Sequence, residues 1–83
     1  MKNIVVISAV WCPSCLILNK HLKRLKEEYD INITKLDYDF DDIEEYNVGD
    51  KLPVIILNDE KGSEVKRLIG EKSYQEIIDF LEV

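Results

Sequence analysis

Cys12 and Cys15 are the only cysteines of the chain, and they stand three positions apart in the stretch Trp11-Cys12-Pro13-Ser14-Cys15. Two thiols separated by two residues at the start of a helix can close a small ring as a disulfide and reopen it, because a helix N-terminus favours a thiolate. The pattern is that of a reversible dithiol, and its chemistry is thiol–disulfide exchange. Cys12, first in the helix with unpaired backbone N–H groups aimed at its sulfur, is expected to attack. Cys15, one turn further in, is expected to resolve the mixed disulfide. Two cysteines this close would staple no more than one helical turn, so they are not a structural disulfide framework.

The elements that must hold this pair are readable on either side of it. Ile4-Val5-Val6-Ile7 is too short for a helix and too uniformly apolar for a strand with a wet face, which predicts a strand covered on both sides. Cys12 then falls at or near the N-cap with Pro13 at the first helical position, where its missing N–H is harmless. Leu18, Leu22, Leu25 and Tyr29 form the apolar stripe of the helix, and Asp30-Ile31-Asn32 ends it. Ile33 to Tyr38 reads as a second strand, parallel to the first in a right-handed βαβ unit. Asp41 to Tyr46 has the signals of a short helix, with Asp41 as cap, Glu44 three residues on and Gly49 near its end.

Lys51-Leu52-Pro53 leads into a third strand, Val54 to Leu57, and Asn58 to Ser63 is rich in turn formers. Glu64 to Ile69 returns antiparallel, Gly70 breaks the strand, and Ser73 caps a last helix with Tyr74, Ile77, Ile78 and Leu81 on its buried face.

Composition narrows the function classes. At 83 residues, with 46% hydrophobic and 34% charged residues, the chain reads as one small globular domain. No run approaches the roughly 20 apolar residues that span a bilayer, and the apolar start is too short for a secretory leader, so a cytoplasmic location is expected. A net charge of −6 argues against nucleic acid as a partner. Lys20, Lys23, Arg24 and Lys26 crowd the first helix, whereas Asp37, Asp39, Asp41, Asp42, Glu44, Glu45 and Asp50 form an acidic stretch, read first as a solvated face. His21 lies off the helix stripe, among lysines, and is read as a surface residue rather than a proton acceptor.

The order β-α-β-α-β-β-α, with C-x-x-C at the first helix and a proline opening the third strand, resembles the thioredoxin and glutaredoxin family over essentially the whole chain. The resemblance implies an α/β, thioredoxin-like fold: a four-stranded mixed sheet with helices on both faces, the minimal core seen in glutaredoxins. Trp11-Cys12 and Cys15 match the thioredoxin Trp-Cys-x-x-Cys, Lys35-Leu36-Asp37 resembles the second-strand Lys-Leu-Asn/Asp, Pro53 falls on the family's cis-proline, and Gly70 on the glycine before the last helix. It implies substrate contacts at Trp11, Pro13, Leu52, Pro53 and Gly70, with the backbone around Leu52 free to pair with an extended substrate.

Pro13-Ser14 is glutaredoxin-like in placing proline first, while Trp11 is thioredoxin-like. Val6 stands where thioredoxins carry a buried aspartate beneath the second cysteine, so that water or a carboxylate placed differently must take the Cys15 proton. Glutaredoxins bind glutathione with a basic residue before the cysteines and a Gly-Gly followed by an acid. Here those places hold Ala9-Val10-Trp11 and a single Gly70 followed by Glu71-Lys72.

The resemblance therefore implies a monomeric oxidoreductase that reduces disulfide-containing proteins and carries no bound cofactor beyond its Cys12–Cys15 disulfide. Its expected source of electrons is a thioredoxin reductase, with glutathione as the alternative. Two other classes are open: a C-x-x-C module for Cu(I), since a structural zinc site wants four ligands, and an interaction module with idle cysteines.

Overall fold

The computed structural model describes residues 2–83. Strand β1 (Lys2–Ser8) is followed by helix α1 (Pro13–Glu28), β2 (Ile31–Asp37), β3 (Val54–Asn58), β4 (Glu64–Ile69) and α2 (Tyr74–Leu81). The sheet order is β2-β1-β3-β4, with β1 parallel to β2 and the other neighbours antiparallel. The expected thioredoxin-like sheet and its connectivity are therefore present. β1 is a central strand buried on both faces, as its unbroken apolar run requires.

Strand alternation divides the core into two layers. Ile4 and Val6 of β1 and Ile55 and Leu57 of β3 face Leu18, Leu22 and Leu25 of α1 and Ile77 and Leu81 of α2. Both α-helices thus share one face of the sheet. Val5, Ile7, Val54 and Ile56 point to the other face, where Leu36, Tyr38, Ile43, Tyr46, Val48 and Leu52 cover them.

That second face differs from the sequence expectation. The helix expected over Asp41–Tyr46 shrinks to one 3-10 turn, Glu44–Tyr46. Aspartates take the backbone donors a longer helix would need: Asp37 Oδ1 accepts from the N–H groups of Asp39 and Phe40, and Asp42 Oδ1 from that of Glu44. Asp41 does not cap the turn; its Oδ2 accepts instead from the Asp37 N–H at 2.7 Å. Asn47, at φ 52°, ends the turn in the left-handed region.

The α1 stripe also ends one residue sooner. Tyr29 is an extended C-cap, 37% exposed, rather than a core residue. β2 accordingly starts at Ile31, paired with Lys2 and buried, two residues before its expected start. At the far end of α1, Tyr74 donates its hydroxyl to Glu28 at 2.5 Å while the Arg24 guanidinium lies 4.1 Å from its ring centroid. His21, expected at the surface, is half-buried against the same ring. Among the described residues, no helix is long and apolar enough to cross a membrane.

Candidate active site

The chain leaves β1 at Ser8, and Cys12 caps α1 in an extended conformation with its N–H bonded to the Ala9 carbonyl at 3.2 Å. Pro13 occupies the first helical position, as its fixed φ favours. The Cys15 N–H points back at the Cys12 sulfur, 3.3 Å away, so the orphan donor of the helix start is satisfied by Sγ. That bond strengthens when the sulfur is a thiolate. Both cysteines are free thiols.

Burial separates the two. Cys15 is 1% exposed and Cys12 6%, the two packing with Ala9 under Tyr38 and Leu52. Cys12 is thus more recessed than a helix start implies, because Leu52 and Tyr38 close over its flanks. Burial, reinforced by the hydrogen bond with Cys12, pushes the Cys15 thiol up to about 11, outweighing the opposing hydrogen bond from the Ala9 backbone. Cys15 keeps its proton at neutral pH. Val6, fully buried, offers no carboxylate, and no polar or charged side chain is buried among the described residues.

Trp11, 59% exposed, is nonetheless fixed. Its Nε1 donates to Asp39 Oδ2 at 2.6 Å, and its ring meets that of Tyr38 edge-on with centroids 6.3 Å apart. Pro13 is exposed beside it. Across the site, the Leu52–Pro53 bond is cis, Pro53 is buried, and its carbonyl accepts from the Gly70 N–H at 2.8 Å. Gly70 has φ +91°, which L side chains rarely adopt, although a Cβ there would meet nothing within 4 Å. The glycine is required by backbone conformation rather than by space.

The structure therefore brings Trp11, Cys12, Cys15 and Leu52 together, and joins Pro53 to Gly70 by a backbone bond. It also adds residues that the sequence did not single out: Ala9 and Tyr38 against the thiols, Asp39 on Trp11, and Glu71, whose Oε1 accepts from the Ser14 hydroxyl at 2.9 Å. A half-exposed indole wants an acceptor for its N–H, which is the one signal that pointed toward Asp39. Lys35 lies on the helix-covered face with Ile33, as alternation implied, and donates to Asn19 Oδ1 at 2.9 Å.

No curated protein sequence matches the chain at a significant level. Among solved structures, a thioredoxin preprotein of Schistosoma mansoni superimposes with a TM-score of 0.84 at 26% identity, covering 98% of this chain and 76% of that one. The protein Trxlp of Edwardsiella tarda gives 0.81 at 29% identity, covering 96% and 81% respectively. A thioredoxin f2, solved in complex with ferredoxin:thioredoxin reductase, shares the fold with a TM-score of 0.85 at 22% identity, covering 98% of this chain and 74% of that one. The Thioredoxin family model matches residues 1–83. With two free thiols at the start of α1 and a cis-proline loop beside them, this chain belongs to the thioredoxin family of thiol–disulfide oxidoreductases.

Proposed function

We propose that the chain reduces protein disulfides, with Cys12 as nucleophile and Cys15 as resolving thiol, acting as a cytoplasmic monomer without a bound cofactor. The Cys12 thiolate attacks one sulfur of the substrate disulfide. The S–S bond breaks, a mixed disulfide forms on Cys12, and the first substrate sulfur leaves as a thiolate that takes up a proton. Cys15, deprotonated by water or by that departing thiolate, then attacks Cys12 Sγ. The Cys12–Cys15 disulfide closes and the second substrate thiol is released, two electrons having passed to the substrate.

The observation that carries this division of labour is the Cys15 N–H held 3.3 Å from Cys12 Sγ while Cys15 itself is 1% exposed. One sulfur has a backbone donor aimed at it and the other is kept from solvent. Trp11, Pro13, Leu52, Pro53 and Gly70 surround the pair as the substrate-contacting set, with the backbone at Leu52 offered to an extended strand. Cys15→Ser is expected to trap a covalent Cys12–substrate adduct and Cys12→Ser to trap none. An adduct formed through Cys15 would reverse the assignment.

Electrons return to the dithiol from a flavin-dependent thioredoxin reductase. Support comes from Ala9-Val10-Trp11 and the single Gly70, which lack the basic residue and the paired glycines of a glutathione site, while the thioredoxin f2 solved with ferredoxin:thioredoxin reductase favours a protein reductase in general. Turnover coupled to NADPH through thioredoxin reductase should exceed turnover with millimolar glutathione and its reductase. Efficient cycling on glutathione alone would replace this electron source with the other.

A further inference from the structure

Three carboxylates of the acidic stretch, Asp37, Asp39 and Asp41, together with Glu71 after Gly70, lie around the residues that flank the dithiol. Asp39 accepts from Trp11, Glu71 from Ser14, and Asp37 and Asp41 line a cavity of about 310 Å³ together with Ala9, Val10 and Leu16. None of the four is ion-paired: the ion pairs among the described residues are Arg24–Glu28, Lys66–Glu82 and Arg67–Glu64, on the last turns of α1, on β4 and at the end of α2. Lys35 is the one cation lining the cavity, its ammonium held on the wall by Asn19 Oδ1, so that two carboxylates face one ammonium there. Between these carboxylates, apolar surface is open: Val10 is 72% exposed, Leu16 58% and Phe40 82%, beside Trp11. An apolar patch rimmed by one sign of charge is a surface built for a partner of the opposite sign.

We propose that this surface docks the basic face of a disulfide protein, taking a Lys or Arg next to the partner's cystine into the cavity between α1 and β2. The inference rests on the thiol–disulfide reading above and names the partner class for that same site. Val10 and Leu16 supply apolar wall for the aliphatic stem, and Asp37 and Asp41 meet the cationic head. Asp37 Oδ1 is engaged by the Asp39 and Phe40 N–H groups and Asp41 Oδ2 by the Asp37 N–H, which fixes both carboxylates. Asp37 Oδ2 and Asp41 Oδ1 have no partner among the described residues and are the oxygens offered. On the other side of Cys12, Glu71 extends the same charge toward the Gly70 end of the site. An acidic disulfide meets repulsion at each of these points.

The test uses the whole protein and two peptide disulfides that differ only in carrying Lys or Glu beside the cystine, with kcat/KM measured at low and high salt. The Lys peptide is expected to be preferred by about tenfold at low ionic strength, within the range of electrostatic steering, and the preference should collapse toward unity at about 0.5 M salt. Asp41→Asn, which keeps an acceptor for the Asp37 N–H, and Glu71→Gln should each lower the preference roughly threefold by removing one charge. Glu27→Gln removes the same charge on the outer face of α1 and should leave the preference alone. Equal rates on both peptides, or a preference indifferent to salt and to both charge-removing variants, overturns the docking proposal while leaving the oxidoreductase reading intact. Failure to reduce either peptide overturns that reading and this inference with it.

Discussion

The two faces of the sheet are built on different terms. One is covered by α1 and α2, whose Leu18, Leu22, Leu25, Ile77 and Leu81 recur at helical spacing and meet Ile4, Val6, Ile55 and Leu57. The other is covered by the segment from Leu36 to Leu52, which holds a single 3-10 turn and is fixed largely by aspartate side chains on backbone N–H groups. The first face is periodic and apolar, and it supplies stability. The second lies beside the dithiol and supplies Tyr38, Asp39 and Leu52, the residues that close over the cysteines and aim Trp11. Irregular backbone sits where side chains must be aimed, and regular backbone where area must be buried.

The contrast can be broken most directly in the helix-covered layer. Ile77→Ala removes a fully buried side chain between α2 and the sheet and is expected to lower stability by about 2–5 kcal/mol in chemical denaturation. Ile43→Ala, in the half-buried loop layer, should lower it by roughly 1 kcal/mol, since its site can collapse. Equal losses would mean that the loop layer is core in the same sense.

The next effect belongs to the thiol beneath both layers. Cys15 in the fold titrates near 11 and in the unfolded chain near the ordinary value of about 8.5, so the native state binds more protons between those pH values. Reduced protein should therefore hold its stability up to about pH 8.5 and lose on the order of 3 kcal/mol as pH rises toward 11. The oxidised protein has no thiol to titrate and should not share that loss. Parallel slopes for the two redox forms would show that another group is responsible. In alkylation near neutral pH, Cys12 should be labelled first.

A smaller change tests the turn at Gly70 between β4 and the site. Gly70→Ala forces a side chain into φ +91° and should cost about 1–2 kcal/mol even though the Cβ meets open space. The smallest change in stability, and the clearest test of the loop face as an aiming device, is Asp39→Ala. Stability should fall by about 1 kcal/mol or less, as for one exposed hydrogen bond, while protein-disulfide reduction drops several-fold. Trp11 is the only tryptophan, so its fluorescence reports the loosened ring directly. Unchanged emission would mean that Tyr38 alone holds the indole.

What could be read in the sequence follows the same division. The stripe of α1 was legible as far as Leu25, and α2 was legible with its cap, because Ser73 and Glu76 complete a capping box within four residues. The segment from Asp41 to Tyr46 was misread as a helix where the chain makes a single 3-10 turn, Glu44–Tyr46. Its aspartates look like helix caps one at a time, yet together they take the N–H groups that a helix would use. In the site, Cys12, Cys15, Pro53 and Gly70 carry backbone or chemical signatures of their own. Asp39 and Glu71 carry none, for they reach Trp11 and Ser14 across 28 and 57 residues of sequence. Contacts at that separation follow from the folded topology, and no local pattern encodes them.

The connection from Glu71 to Tyr74 grips α1 at both ends, through Ser14 in its first turn and Glu28 in its last. Helices ordinarily fray from their ends, where backbone amides exchange with solvent soonest. In this molecule neither end of α1 is loose, so fraying at the cysteines requires the 71–74 connection to let go. Amide exchange along α1 should therefore proceed in one cooperative opening, with the turn that carries the dithiol as slow as the turns behind it.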